Sequence, residues 1–135
     1  HRFQSRNPFE IVRGLNVILV DAPLSGVRGF YQYFQRNHII YLDETLSEQE
    51  RTLVLAHELA FVFHKKANAI FMDTRTHLKT AEYETEADTF AIELLLPDDT
   101  FSEYLSAGYT SEQISRITGY AQRLIDLKAS HIKIL

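Results

Sequence analysis

Apolar and polar positions along the chain repeat with two different periods, and the switches between them mark out the elements. From Pro8 to Leu15, Ile11, Val12 and Leu15 fall on one face of a helix, with proline at its first position, where the missing N–H breaks no helical hydrogen bond. "NVILV", residues 16–20, is a short β-branched run and predicts a buried strand, and "DAPLSG" after it is turn chemistry. Two further strands are predicted at Gly29–Gln35 and His38–Leu42. Arg36 and Asn37 are expected to form the hairpin turn, because asparagine tolerates the left-handed backbone such turns use. Three successive strands predict a small antiparallel sheet.

The period then becomes helical. Ser47 followed by Glu50 has the spacing of a capping box, so a helix is expected from Glu48, with Leu53, Val54, Ala56, Leu59, Ala60 and Phe63 giving it broad apolar cover. Residues 68–80 read as a loop. "AEYETEADTFAIELLLP" predicts a second helix, stopped at Pro97. Two helical segments follow, interrupted at Gly108 and Gly119, with Thr110 or Ser111 as a cap. With no repeat, linker or low-complexity stretch, the expectation is a single domain over residues 1–135. The order of its elements gives an α+β fold that ends in a C-terminal helical segment.

Composition narrows the chemistry. At 135 residues with 45% hydrophobic positions, the chain is long enough to bury its own core. The absence of cysteine removes thiol catalysis, disulfides and Cys-ligated zinc, leaving any metal to histidine and carboxylates. A net charge of −4 argues against nucleic acid as the main partner. The sequence has neither a membrane-spanning run nor an apolar leader in "HRFQSRNPFE", so the expected location is the cytoplasm.

The candidate chemistry lies in "LAHELAFVFHKK", residues 55–66. Residues four apart on a helix stand about 6 Å apart on one face, which is why zinc peptidases place two histidines at that spacing. The glutamate beside the first can then take a proton from metal-bound water. His57 and Glu58 occupy the first two positions, but the second histidine's position holds Phe61, whose ring has no lone pair to donate. His64 is a candidate further ligand, although seven residues place it about 10.5 Å along the axis from His57. On the second helix, Glu84 and Asp88 have the spacing at which zincins carry a third ligand and a carboxylate that orients a ligating histidine, while Glu86 points off that face. Alone, "AEYETEAD" reads as a solvated acidic face; beside His57 and Glu58, the metal reading overtakes it.

Taken together, "RNPFEI", "GFYQYFQRNHIIYLDETLSEQERTLVLAHEL", "ETEADTFAIELLLPDD" and "YTSEQISRITGYAQRLIDLK" resemble the ImmA/IrrE family of metallopeptidase-like domains of bacteria, phages and other mobile elements. The resemblance implies a sheet packed against zincin-type active-site helices and zinc as cofactor. It implies His57 and Glu84 as metal ligands, Glu58 as general base and Asp88 as second-shell partner. It further implies a protein substrate, a helix-turn-helix repressor whose cleavage derepresses mobile-element or stress genes. The family's second histidine has no counterpart, whether Phe61 is a substitution or a residue was lost beside it, and the site is expected to be one ligand short.

Two other readings carry different functions. In one, the domain is catalytically silent and binds a regulatory partner, with Phe61 filling the ligand's place with apolar bulk. In the other, "TSEQISRITGYAQRLIDLK" acts as a helix-turn-helix on DNA through Arg116, Arg123 and Lys128, although a packing helical hairpin explains that pattern better. The strand His38–Leu42 is a candidate edge for pairing with an extended partner segment.

Overall fold

The computed structural model describes residues 5–63 and 80–132. His64, His77 and all of the expected 68–80 loop except Thr80 lie outside these residues. The described elements, in order, are α1 (Pro8–Gly14), β1 (Ile18–Ala22), β2 (Gly29–Phe34), β3 (Asn37–Asp43), α2 (Glu48–Phe63), α3 (Thr80–Leu95), α4 (Asp98–Ser106), α5 (Ser111–Thr118) and α6 (Gln122–His131). The α+β class is as expected.

The caps behave as their residue types require. Asn7 accepts from the Phe9 N–H at 2.9 Å and starts α1. At the head of α2, the Ser47 N–H donates to Glu50 Oε1 at 2.8 Å and the Glu50 N–H donates to Ser47 Oγ at 3.2 Å. Thr110, not Ser111, caps α5 in a reciprocal box with Gln113, and Gly119 ends that helix at φ 82°, a left-handed value suited to glycine.

The sheet corrects three expectations. Its order is β1-β3-β2: β1 runs parallel to β3, and only the β2–β3 pair is antiparallel. The sheet is therefore mixed. After β1 the chain crosses to the far edge and returns through the middle, and Asp43 pins the crossing by accepting from the Leu24 N–H at 2.8 Å. The most buried strand, with Ile40 and Leu42 fully buried, takes the position paired on both sides. β3 consequently has no open edge for an extended partner; β2 is the antiparallel edge strand. Second, β1 begins two residues later than expected, because Asn16 adopts φ 58° and turns the chain out of α1 first. Third, Phe34 pairs with Asn37, so the hairpin's central residues are Gln35 and Arg36, at φ 50° and 66°. Asn37 instead donates its side-chain amide to the Gln35 carbonyl at 3.2 Å.

Two apolar clusters fill the molecule. The first lies between the sheet and α1, α2 and α3, around Tyr31, Ile40, Leu42, Leu55, Leu59 and Phe61. The second joins the far side of α3 to α4, α5 and α6, through Ile92, Leu96, Phe101, Ile114, Leu124 and Ile125. Lys128 is fully buried at its margin, donating to Glu93 Oε1 at 2.6 Å and to Asp98. That pairing ties α6 to α3 and α4 and satisfies a charge that burial alone would penalise.

Gly29 lets β2 approach α2: a Cβ there would stand 2.6 Å from Val54 Cγ1 and 2.9 Å from the Tyr41 carbonyl oxygen. Gly29→Ala is expected to lower unfolding free energy by about 1–3 kcal/mol in urea denaturation, because the main-chain oxygen cannot move aside cheaply. Replacing Gln35-Arg36 with Asn-Gly is expected to raise it by about 1–2 kcal/mol, since both positions hold left-handed backbone.

Candidate functional site

α2 and α3 pack so that His57 faces Glu84 and Asp88. The stripe on α3 follows from helical spacing: Glu84, Asp88 and Ala91 lie one turn apart, and all three line the same cleft. His57 Nε2 lies 2.9 Å from Glu84 Oε2 and 3.5 Å from Asp88 Oδ1. On the ring's other side, Nδ1 lies 3.0 Å from Glu58 Oε2. Glu58 is itself nearly buried, at 7% exposure, with its charge compensated by this contact. Among the described residues, no buried side-chain nitrogen or oxygen lacks a hydrogen-bond partner.

The structure thus brings together four of the residues the sequence singled out: His57, Glu58, Glu84 and Asp88. Asp88 approaches the same ring nitrogen as Glu84, and its other oxygen accepts from Arg123 at 2.7 Å. Glu86 lines a separate hollow of about 210 Å³ on the other side of α3, together with Phe61, Phe63 and Phe90. His38 lies apart from the site, its Nδ1 2.6 Å from the Tyr31 hydroxyl. Burial holds that imidazole's pKa below its ordinary value and raises that of the phenol.

Phe61 occupies the turn after His57, as its spacing requires. Its ring meets His57 edge-on at 5.8 Å and stacks on Tyr31 at 6.1 Å, with 2% exposure. It belongs to the core and is not among the residues lining the cleft. His57 Nε2 and Glu84 Oε2 face one another at 2.9 Å, and Phe61, one turn on, turns its ring to the core. Among the described residues, no group of three or more His, Asp or Glu side chains is arranged to hold a metal ion. Among the described residues, the donors do not complete a zinc site, which takes at least three protein ligands.

The cleft in front of His57 measures about 440 Å³. Besides the acidic cluster it is lined by the β1–β2 loop from Gly26 to Gly29, by Leu53 and Val54 of α2, and by Arg123 and Leu124 of α6. Arg28 and Arg123 were not legible as site residues. Arg123 reaches Asp88 across 35 positions of sequence, and no local spacing signals that contact. The cations of the α5–α6 hairpin are all paired with carboxylates: Arg116 with Glu112, Arg123 with Asp88, and Lys128 with Glu93 and Asp98. Leu124, Ile125 and Lys128 face inward, so the hairpin is a packing element.

Comparison with known proteins shows what the chain is similar to. The family model described as the IrrE N-terminal-like domain matches residues 12–124. The chain is 37% identical over 129 residues to "Uncharacterized immunity region protein 2" of Bacillus phage phi105, covering 94% of this chain and 82% of that one. It is 28% identical over 133 residues to "Metallopeptidase ImmA" of Bacillus subtilis (strain 168), covering 95% of this chain and 78% of that one.

With a carboxylate on each ring nitrogen, His57 is satisfied only when both nitrogens carry a proton. Burial by itself lowers its pKa, but the hydrogen bonds to Glu58 and Glu84 and the negative charge of both outweigh this and raise the value from 6.5 to about 10. In the metal-free protein, the His57 ring resonances are expected to hold their imidazolium positions through roughly pH 6 to 8, the range in which an ordinary histidine titrates. The stabilisation this charge provides is complete below the unfolded-chain value of 6.5 and is lost as pH rises towards about 10. Urea denaturation across that range should show stability falling, and His57→Gln should remove most of the slope.

Proposed function

The chain belongs to the IrrE N-terminal-like domain family, and we propose that it keeps the family's metallopeptidase-like fold as a regulatory domain that holds a polypeptide partner without hydrolysing it. Membership implies a metal, usually zinc, and His57, Glu58 and Glu84 are what remains of that machinery here. The observation that carries the proposal is Phe61. A buried phenyl ring stands one helical turn beyond His57, at the position where the family's second histidine is expected, and His57 Nε2 faces Glu84 Oε2 at 2.9 Å.

A cleft of about 440 Å³ bordered by the β1–β2 loop and the start of β2 suits an extended segment. β2 pairs with β3 on one side, so its other edge is the place for main-chain hydrogen bonds to an added strand. The partner implied by resemblance is a helix-turn-helix repressor encoded near this gene, bound and masked or retained rather than cut. Among the described residues no helix is long and apolar enough to cross a membrane.

Metal analysis tests this directly. After incubation with excess zinc and desalting, the parent chain is expected to retain well under one equivalent. Phe61→His supplies the third ligand and is expected to retain about one equivalent, with a thermal midpoint that falls on chelation. One equivalent of zinc in the parent, or cleavage of the repressor by it, overturns the proposal.

A further inference from the structure

The sheet has two edges, and they are guarded unequally. β1 carries Asp21, which pairs with Arg51 of α2 on the helix side of the sheet. A charge on the inward side of an edge strand discourages a further strand from joining it. β2, "GFYQYF" from Gly29 to Phe34, has neither a charge nor a proline, and its register with β3 is unbroken by a bulge. Among the described residues no strand pairs with its outer edge. Tyr31 points into the core, so by alternation Phe30 and Phe34 lie on the face away from the helices, where they are 40% and 53% exposed.

The hydrogen-bond phase of the hairpin fixes which groups this edge offers. The Asp43 N–H donates to the Arg28 carbonyl at 2.8 Å. Such pairs recur at every second residue of an antiparallel ladder. Phe30, Gln32 and Phe34 therefore bond to β3, while Gly29, Tyr31 and Tyr33 turn their N–H and C=O outward. β2 of a second copy matches that phase when it runs antiparallel with Tyr31 opposite Tyr31. Gly29 then lies opposite Tyr33, and all three outward residues exchange both bonds. A shift that puts Phe30 opposite Phe34 sets Arg28 against Arg36 and Gly29 against Gln35, whose φ of 50° belongs to the turn. With Tyr31 on the axis, Arg28 lies opposite Phe34 instead. A guanidinium then covers an exposed ring, and no like charges face each other along the paired strands.

We propose that β2 is a self-association edge, through which two copies of this chain pair about a two-fold axis at Tyr31 and join their three-stranded sheets into one. A six-residue edge is about 20 Å long and covers well under the ~800 Å² per partner of a standard interface, so the dimer is reversible. The same edge is the one proposed above for a partner strand, so a second copy and that partner exclude each other. The test below contains only this chain and does not depend on the partner.

Sedimentation equilibrium of the intact chain from about 5 to 500 μM is expected to show monomer and dimer in exchange, with a dissociation constant of roughly 10–100 μM. Phe34→Lys sets an ammonium against Arg28 and is expected to weaken the dimer about tenfold. Phe34→Glu loses the same ring but sets a carboxylate there, and is expected to hold the parent affinity. Hydrogen exchange at the Tyr31 and Tyr33 amides should slow as concentration rises, while the Phe30 and Gln32 amides, already bonded to β3, should not respond. A parent that stays monomeric at about 500 μM, an equal loss in the two Phe34 variants, or a dimer that leaves the Tyr31 and Tyr33 amides unprotected overturns the proposal.

Discussion

The close packing of α2 on α3 is the constraint from which the site follows. Ala56 on one helix and Ala87 and Ala91 on the other are buried, and such small side chains let two helices approach closely. That approach sets His57 opposite Glu84 and Asp88. Leu55 and Leu59 anchor α2 in the core shared with the sheet, while Ile92 anchors α3 in the second core. The charged cluster sits where these two apolar bodies meet and is positioned by both. Its polar atoms cost little to enclose because each finds a partner.

Phe61 changes what that cluster is. With a phenyl ring on the next turn, the carboxylates of Glu58 and Glu84 flank the His57 ring, one at each nitrogen. The ring does not block the cleft; it faces Tyr31 and the core, and its substitution leaves the cavity in front of His57 open. The domain combines a metallopeptidase-like frame with an accessible cleft and a charged cluster at its back.

The C-terminal hairpin completes the cleft. Lys128, fully buried between Glu93 and Asp98, fixes α6 against α3 and α4, and five positions earlier Arg123 emerges at Asp88. A helical pair that resembled a nucleic-acid reader in sequence spends its cations on carboxylates of its own molecule. To the cleft it contributes Leu124 and the Arg123 guanidinium.

Much of this was determined by local sequence, because local rules govern it. The capping box at Ser47 and Glu50, the αL glycine at 119, the helical stripe through Glu84 and Asp88, and the one-turn offset from His57 to Phe61 depend on residues a few positions apart. Strand order, the parallel β1–β3 pairing and the reach of Arg123 to Asp88 were decided only by the tertiary structure. Alternation says which face of a strand is buried but not which strand lies beside it, and a turn's left-handed residues move by one position when register demands it. A contact across 35 residues is set by how two apolar cores stack, a property of the whole chain that no short stretch of it contains.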